Sequence, residues 1–177
     1  MATRGTRAID VLQRAGVAFR VHEYAPPPRT GRDRDGRPAY GAEAAAALGV
    51  APERVFKTIV GRVDGRLALA VVPVTAELDL KRFAGALRGR AAELARPADA
   101  ERATGYVVGG ISPLGSRRQL PTVLDASAAA QPTILLSGGR RGVQVELAPA
   151  DLVSLHGAEI AAVARTDGRW GVVNRRE

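Results

Sequence analysis

Of the 26 cationic side chains in this 177-residue chain, only two are lysines, Lys57 and Lys81. Where arginine is the default cation, a lysine raises the question of what an ammonium does there that a guanidinium cannot. Lys57 lies in Val55-Phe56-Lys57-Thr58-Ile59-Val60, a β-rich run. Alternation along a strand puts Val55, Lys57 and Ile59 on one face, so the ammonium projects from an apolar surface. A compact point charge that tolerates partial burial and can shift its pKa is suited to charge stabilisation in a pocket. The competing reading is a stem laid along the surface with its head in water.

Other sources of chemistry are few. The chain has no cysteine, which removes thiolate nucleophiles, disulfides and cysteine-ligated metals together. With only His22 and His156, a three-histidine metal site has little room, and no metal or other cofactor is expected. His156 precedes Gly157 at the expected end of a helix and His22 falls on the polar face of a strand, both structural or solvated positions. Gly-x-Ser-x-Gly, Gly-x-Gly-x-x-Gly and Walker A patterns are absent. What remains is three glycine-bearing loops: Pro26–Gly41, Thr104–Gly115 with Gly109-Gly110 and Ser112-Pro113, and Ser137-Gly138-Gly139-Arg140-Arg141-Gly142. Paired glycines allow close approach to the main chain, and exposed amides can converge on a carbonyl oxygen as it gains charge. The last loop adds a hydroxyl and two guanidiniums, a set suited to a phosphate or ribose edge. Each loop read singly is equally a turn that serves backbone geometry.

These residues need positioning, and the periodicity supplies elements. Residues 7–15 repeat at helical spacing and end at Gly16, and Val17–Tyr24 alternates as a half-buried strand. A short helix is expected over Glu43–Leu48, followed by a turn opened by Pro52. Phe56–Val63 and Arg66–Val74 flank Asp64-Gly65, a type I′ hairpin signal. Asp79 is the N-cap of a helix through Leu87, and Pro97–Thr104 is a further helix. Short strands are expected at 91–95, 123–125, 133–136, 143–147 and 159–164, with a helix opening at Pro149. The mixture lacks regular βαβ alternation, which points to an α+β fold: one domain over 1–165, a mixed, partly barrel-like sheet flanked by helices. Residues 25–41 read as a loop insertion, and 166–177 as a tail or accessory hairpin at Asp167-Gly168.

The net charge of +8 favours an anionic partner, although the arginines are scattered without a single basic stripe. No apolar run approaches the ~18 residues of a membrane span, so no membrane partner and a cytoplasmic location are expected.

Phe56-Lys57-Thr58, the Thr104–Gly115 loop and Ser137–Gly142, in this order and spacing, resemble the YbaK-type aminoacyl-tRNA deacylases. Val72-Pro73-Val74, Leu78-Asp79-Leu80-Lys81, Leu120-Pro121-Thr122 and Val145-Glu146-Leu147 extend the similarity across roughly 6–165. The closest type is the bacterial Cys-tRNA(Pro) deacylase, related to the editing insertion of prolyl-tRNA synthetases. The resemblance implies a trans-editing enzyme that cleaves the ester of mischarged tRNA without metal or protein nucleophile. For a cysteinyl ester it implies attack by the substrate's own thiol. It implies the aminoacyl-tRNA acceptor end as partner, with prolyl-tRNA synthetase as a second. Carried across, Lys57 and Gly110 are catalytic, while Tyr24, Tyr40, Thr58, Gly109, Ser112, Ser137, Gly138 and Gln144 line the substrate. Two departures stand out: Tyr40 follows a longer, arginine-rich insertion, and Gln144 replaces the acid the family commonly carries. That neutral amide keeps an alternative open, a catalytically silent module that binds aminoacyl-tRNA or a synthetase.

Overall fold

The computed structural model describes residues 5–28 and 40–166. Most of the expected insertion and the hairpin at Asp167-Gly168 lie outside the described residues. α1 (Arg7–Ala15) is capped by the Thr6 hydroxyl and ends on left-handed Gly16. β1 (Phe19–Glu23) and α2 (Tyr40–Leu48) follow, then one 3₁₀ turn at Pro52–Arg54. α2 begins three residues before the periodicity indicated, because Tyr40 is fixed by tertiary packing described below.

β2 (Phe56–Val63) and β3 (Arg66–Pro73) form the expected hairpin, in full register from Phe56 opposite Pro73 to Val63 opposite Arg66. Both turn residues have positive φ, Asp64 at 47° and Gly65 at 81°, as that turn requires. β4 (Glu77–Leu78), α3 (Leu80–Ala86), β5 (Ala92–Leu94) and α4 (Pro97–Thr104) come next. The chain continues through β6 (Thr122–Asp125), a 3₁₀ turn, β7 (Ile134–Ser137), β8 (Val143–Leu147), α5 (Pro149–His156), β9 (Glu159–Ala161) and β10 (Ala164–Arg165).

Five strands make a mixed sheet in the order β5-β2-β3-β6-β9, three make an antiparallel sheet β1-β8-β7, and β10 pairs with β4. The strand expected over 159–164 is divided because the buried Asp125 carboxylate accepts the Val163 and Ala164 amides, at 2.9 and 2.8 Å. Those bonds turn the chain inward and send β10 to β4. The two larger sheets meet at a single parallel bridge, Val55 to Leu135, and do not close into a barrel among the described residues.

Alternation assigns each face. Ile134, Leu136, Val143, Val145 and Leu147 bury against α1 and α5 in the main core. Phe83 of α3 is fully buried against Ala68, Ala70 and Val72 of β3, a side chain whose burial contributes about 1.5–3 kcal/mol. α2 covers Val55, Val74 and Leu135 through Ala44 and Ala45, which bridges both sheets. No described helix is long and apolar enough to cross a membrane.

Candidate active site at the parting of two sheets

The parallel bridge sets the geometry. From Val55 and Leu135 both strands advance in the same direction, so Lys57 and Ser137, two residues on, fall on the same side. Val55 and Leu135 pack under α2, and Lys57 and Ser137 therefore face that same layer. Beyond this point β2 leaves β7 and pairs instead with β5, from Gly61 opposite Leu94. Where the two strands part, side chains from both sheets share one face.

β8 brings Gln144 opposite Ser137, and β1 brings His22 opposite Gln144. Gln144 is 7% exposed. Its Oε1 is buried without a partner among the described residues. A buried acceptor left unpaired costs free energy and marks a place where a donor belongs. Burial raises the Tyr24 phenol above its ordinary pKa, so it stays a neutral hydroxyl at physiological pH. The Tyr24 amide donates to the Gly142 carbonyl at 2.9 Å, which fixes the ring beside the β7–β8 turn.

A clasp lies at the β7–β8 turn. Arg141 donates to Glu43 Oε2 and to the Pro27 carbonyl, each at 2.8 Å, and its guanidinium lies 5.1 Å from the Tyr40 ring centroid. The other party to that ring is Gly109, at φ +98°, where a Cβ would stand 3.0 Å from the phenol carbons. A Cβ on Gly110 would come within 2.7 Å of the Arg140 Cα. Two adjacent glycines thus let the 104–115 loop lie between Tyr40 and the β7–β8 turn. The Gly110 amide donates to the Val107 carbonyl at 2.9 Å and closes a turn. The Gly109 amide makes no hydrogen bond to another described residue.

Further along the same face, every partner is engaged. Glu146 accepts from the Thr133 hydroxyl at 2.7 Å, the Arg54 guanidinium at 2.9 Å and His22 Nε2 at 2.7 Å. The Thr133 hydrogen bond, then those from His22 and Arg54, outweigh desolvation and hold its carboxyl at about 2. The His22 Nε2 is thereby committed to the Glu146 carboxylate. Because β8 lies between β1 and β7, His22 and Ser137 stand two strand spacings apart, about 9–10 Å. A Ser-His relay does not form. Among the described residues, no group of three or more His, Cys, Asp or Glu side chains is placed to hold a metal ion.

Lys57, Ser137 and Gln144 thus share one face, while Tyr24 pairs with the β7–β8 turn at Gly142 and Tyr40 packs against Gly109 and Arg141. Three predicted residues are placed differently. Thr58 pairs with Val71, which faces the opposite core, and its Oγ1 is buried without a described partner. Ser112 is fully buried, with its hydroxyl accepting the Leu114 amide at 3.2 Å. Gly138 spends both main-chain groups, its amide on the Val143 carbonyl and its carbonyl on the Thr6 hydroxyl. Sequence reasoning passed over Glu43 and Glu146. Glu43 lies in an alanine-rich helix without a local signal, whereas Glu146 entered only within Val145-Glu146-Leu147 as part of the resemblance.

Comparisons with known proteins bear on the family and the fold. Residues 37–155 match the family model of the aminoacyl-tRNA editing domain. An Enterococcus faecalis protein provisionally named Cys-tRNA(Pro)/Cys-tRNA(Cys) deacylase EbsC is 35% identical over 161 residues, 89% of this chain and 92% of that one. The proline–tRNA ligase of Geobacillus thermodenitrificans is 35% identical over 89 residues, half of this chain and 16% of the ligase. A crystal structure provisionally described as a trans-editing enzyme for prolyl-tRNA synthetase superposes with a TM-score of 0.76 at 26% identity, covering 90% of this chain and 95% of that one.

Proposed function

The chain belongs to the aminoacyl-tRNA editing domain family, and we propose from its site that it removes a wrong amino acid from mischarged tRNA, with Cys-tRNA(Pro) the preferred substrate. The observation that carries this reading is the meeting of Lys57, Ser137 and Gln144 on one face where β2 leaves β7, with a buried acceptor awaiting a donor. An esterified terminal adenosine supplies ribose hydroxyl and ammonium donors for that acceptor.

The chemistry follows from what the cleft offers. The Lys57 ammonium stabilises negative charge developing on the reacting ester, and the Gly109 amide assists at the carbonyl oxygen. Tyr24 and Gln144 hold the aminoacyl group, and Ser137 lies against the nucleoside. With a cysteinyl ester, the substrate thiol gives its proton to solvent and its sulfur bonds to the carbonyl carbon. The ester C–O bond breaks, and the ribose oxygen leaves and takes up a proton. The protein's part is to orient and to stabilise charge, which a cleft without a nucleophile can do.

A deacylation panel of Cys-, Ala-, Ser- and Pro-tRNA(Pro) tests the reading. The expected outcome is fastest release from Cys-tRNA(Pro). Tight, salt-sensitive binding with no release from any of the four would replace the enzyme by a silent binding module, the role that the neutral Gln144 keeps in view.

A further inference from the structure

A surface groove of about 450 Å³ is lined by Glu23, Tyr24, Arg140, Arg141, Gly142 and Val143, the last of these adjacent to Gln144 in β8. Its size is that of a small-ligand site, but it is open to solvent along its length. The two guanidiniums on its wall differ. Arg141 is committed to Glu43, the Pro27 carbonyl and the Tyr40 ring. Among the described residues the Arg140 side chain pairs with Glu23 alone, at 3.3 Å, and both side chains are nearly half exposed, 46% and 49%. A pair of that kind contributes little and breaks readily. A phosphodiester arriving in the groove can take Arg140 from Glu23 and keep the guanidinium paired with an anion.

We infer that this groove carries the RNA strand leading into the site, with Arg140 exchanging Glu23 for the phosphodiester on the 5′ side of the esterified nucleoside. The inference rests on the deacylase reading above and adds the subsite that tells a polynucleotide end from a lone aminoacyl nucleoside. Glu23 acts as a placeholder. It keeps the guanidinium over the groove until a phosphate displaces it, and its own charge opposes RNA that has not made the exchange.

The test compares Cys-tRNA(Pro) with cysteinyl-adenosine, which bears the ester but no phosphodiester. In Arg140→Gln the preference for the tRNA over cysteinyl-adenosine falls about tenfold, through KM rather than kcat. The slope of log KM against log salt for the tRNA becomes shallower by about 0.7, the share of one single-strand phosphate contact. Glu23→Gln moves the preference the other way. Equal effects of Arg140→Gln on both substrates, or an unchanged salt slope, overturn the inference. Should the wild type release amino acid from neither substrate, the deacylase reading fails. The groove is then still decided by binding of an uncharged acceptor-stem hairpin, whose salt slope Arg140→Gln lowers by the same amount or leaves alone.

Discussion

Gln144 and Glu146 lie two residues apart on the same face of β8 and have opposite hydrogen-bonding fates. Glu146 has collected three donors from three different segments, β1, the turn before β2 and the residue before β7. Gln144, more deeply buried, keeps an acceptor that no described group satisfies. The polar face thus divides into a saturated end, which ties strands together, and an unsaturated end, where Lys57 and Ser137 also lie. Unsatisfied polarity is destabilising, so a fold retains it where a ligand completes it. The saturated end fixes Arg54, only three residues before Lys57, against β7 and β8. It thereby sets the distance across which the unsaturated end works.

The contrast is broken most sharply at Lys57. If the unsaturated end does the chemistry, Lys57→Ala lowers the rate of Cys-tRNA(Pro) deacylation by roughly 10²–10³, the cost of losing one charge-stabilising contact. The midpoint of thermal unfolding should barely move, because the residue sits at the cleft and not within an apolar cluster. Equal deacylation rates in wild type and variant would remove Lys57 from the mechanism. Lys81, exposed in the first turn of α3, is the internal control: its replacement by alanine should change neither quantity.

The saturated end should respond in the other currency. Glu146 titrates at about 2 against an ordinary 4.5, which corresponds to roughly 3 kcal/mol of linkage and about 2 kcal/mol after allowance for solvent screening. Its carboxyl pKa is depressed in the folded state, so this stability is fully present above pH 4.5 and is lost as pH falls toward 2. Glu146→Leu should therefore cost about 2 kcal/mol at neutral pH, seen in urea denaturation. It should also flatten the wild type's loss of stability between pH 4.5 and 2. Glu146→Gln, which still accepts hydrogen bonds, should recover part of the loss. A full-strength acid transition in Glu146→Leu would place the origin of acid sensitivity elsewhere.

How much of this could be read in advance depended on the range of the interactions. The β2–β3 hairpin was legible because Asp64-Gly65 states its turn locally, and α4 because Pro97 and Gly105 state both of its ends. Lys57 was singled out by residue type and alternation alone. Its meeting with Ser137 was not legible from the residues, since it depends on one parallel bridge between segments 80 residues apart. The resemblance joined Lys57 and Thr58 as neighbours in a motif, but strand alternation sends their side chains to opposite faces of β2. The split between β9 and β10 was equally hidden, because it follows from a carboxylate 38 residues upstream at Asp125. The resemblance implied a catalytic Gly110, in a loop whose glycines could offer amides to an oxyanion. In the fold its amide closes a turn, its missing side chain is what admits Arg140, and Gly109 is left with the available amide.

The smallest effect falls on Gln144 and separates the two ends most finely. Gln144→Leu removes the orphaned acceptor and leaves the partly buried Tyr24 beside an apolar side chain. Losing a buried polar group that was never fully satisfied is nearly neutral for folding, so stability should stay within about 1 kcal/mol of the wild type. Activity should nevertheless fall about tenfold, because the substrate's donor loses a partner worth about that factor. Gln144→Asp, which restores a carboxylate, places a charge where the amide stood, close to Tyr24 and two residues from Glu146. It should strengthen the hold on an ammonium donor and lower KM, while the like charge at Glu146 costs a fraction of a kcal/mol across the screened face. If Gln144→Leu instead unfolds as readily as Glu146→Leu and keeps full activity, the two residues play one structural role, and the division of this face into a working end and a holding end is wrong.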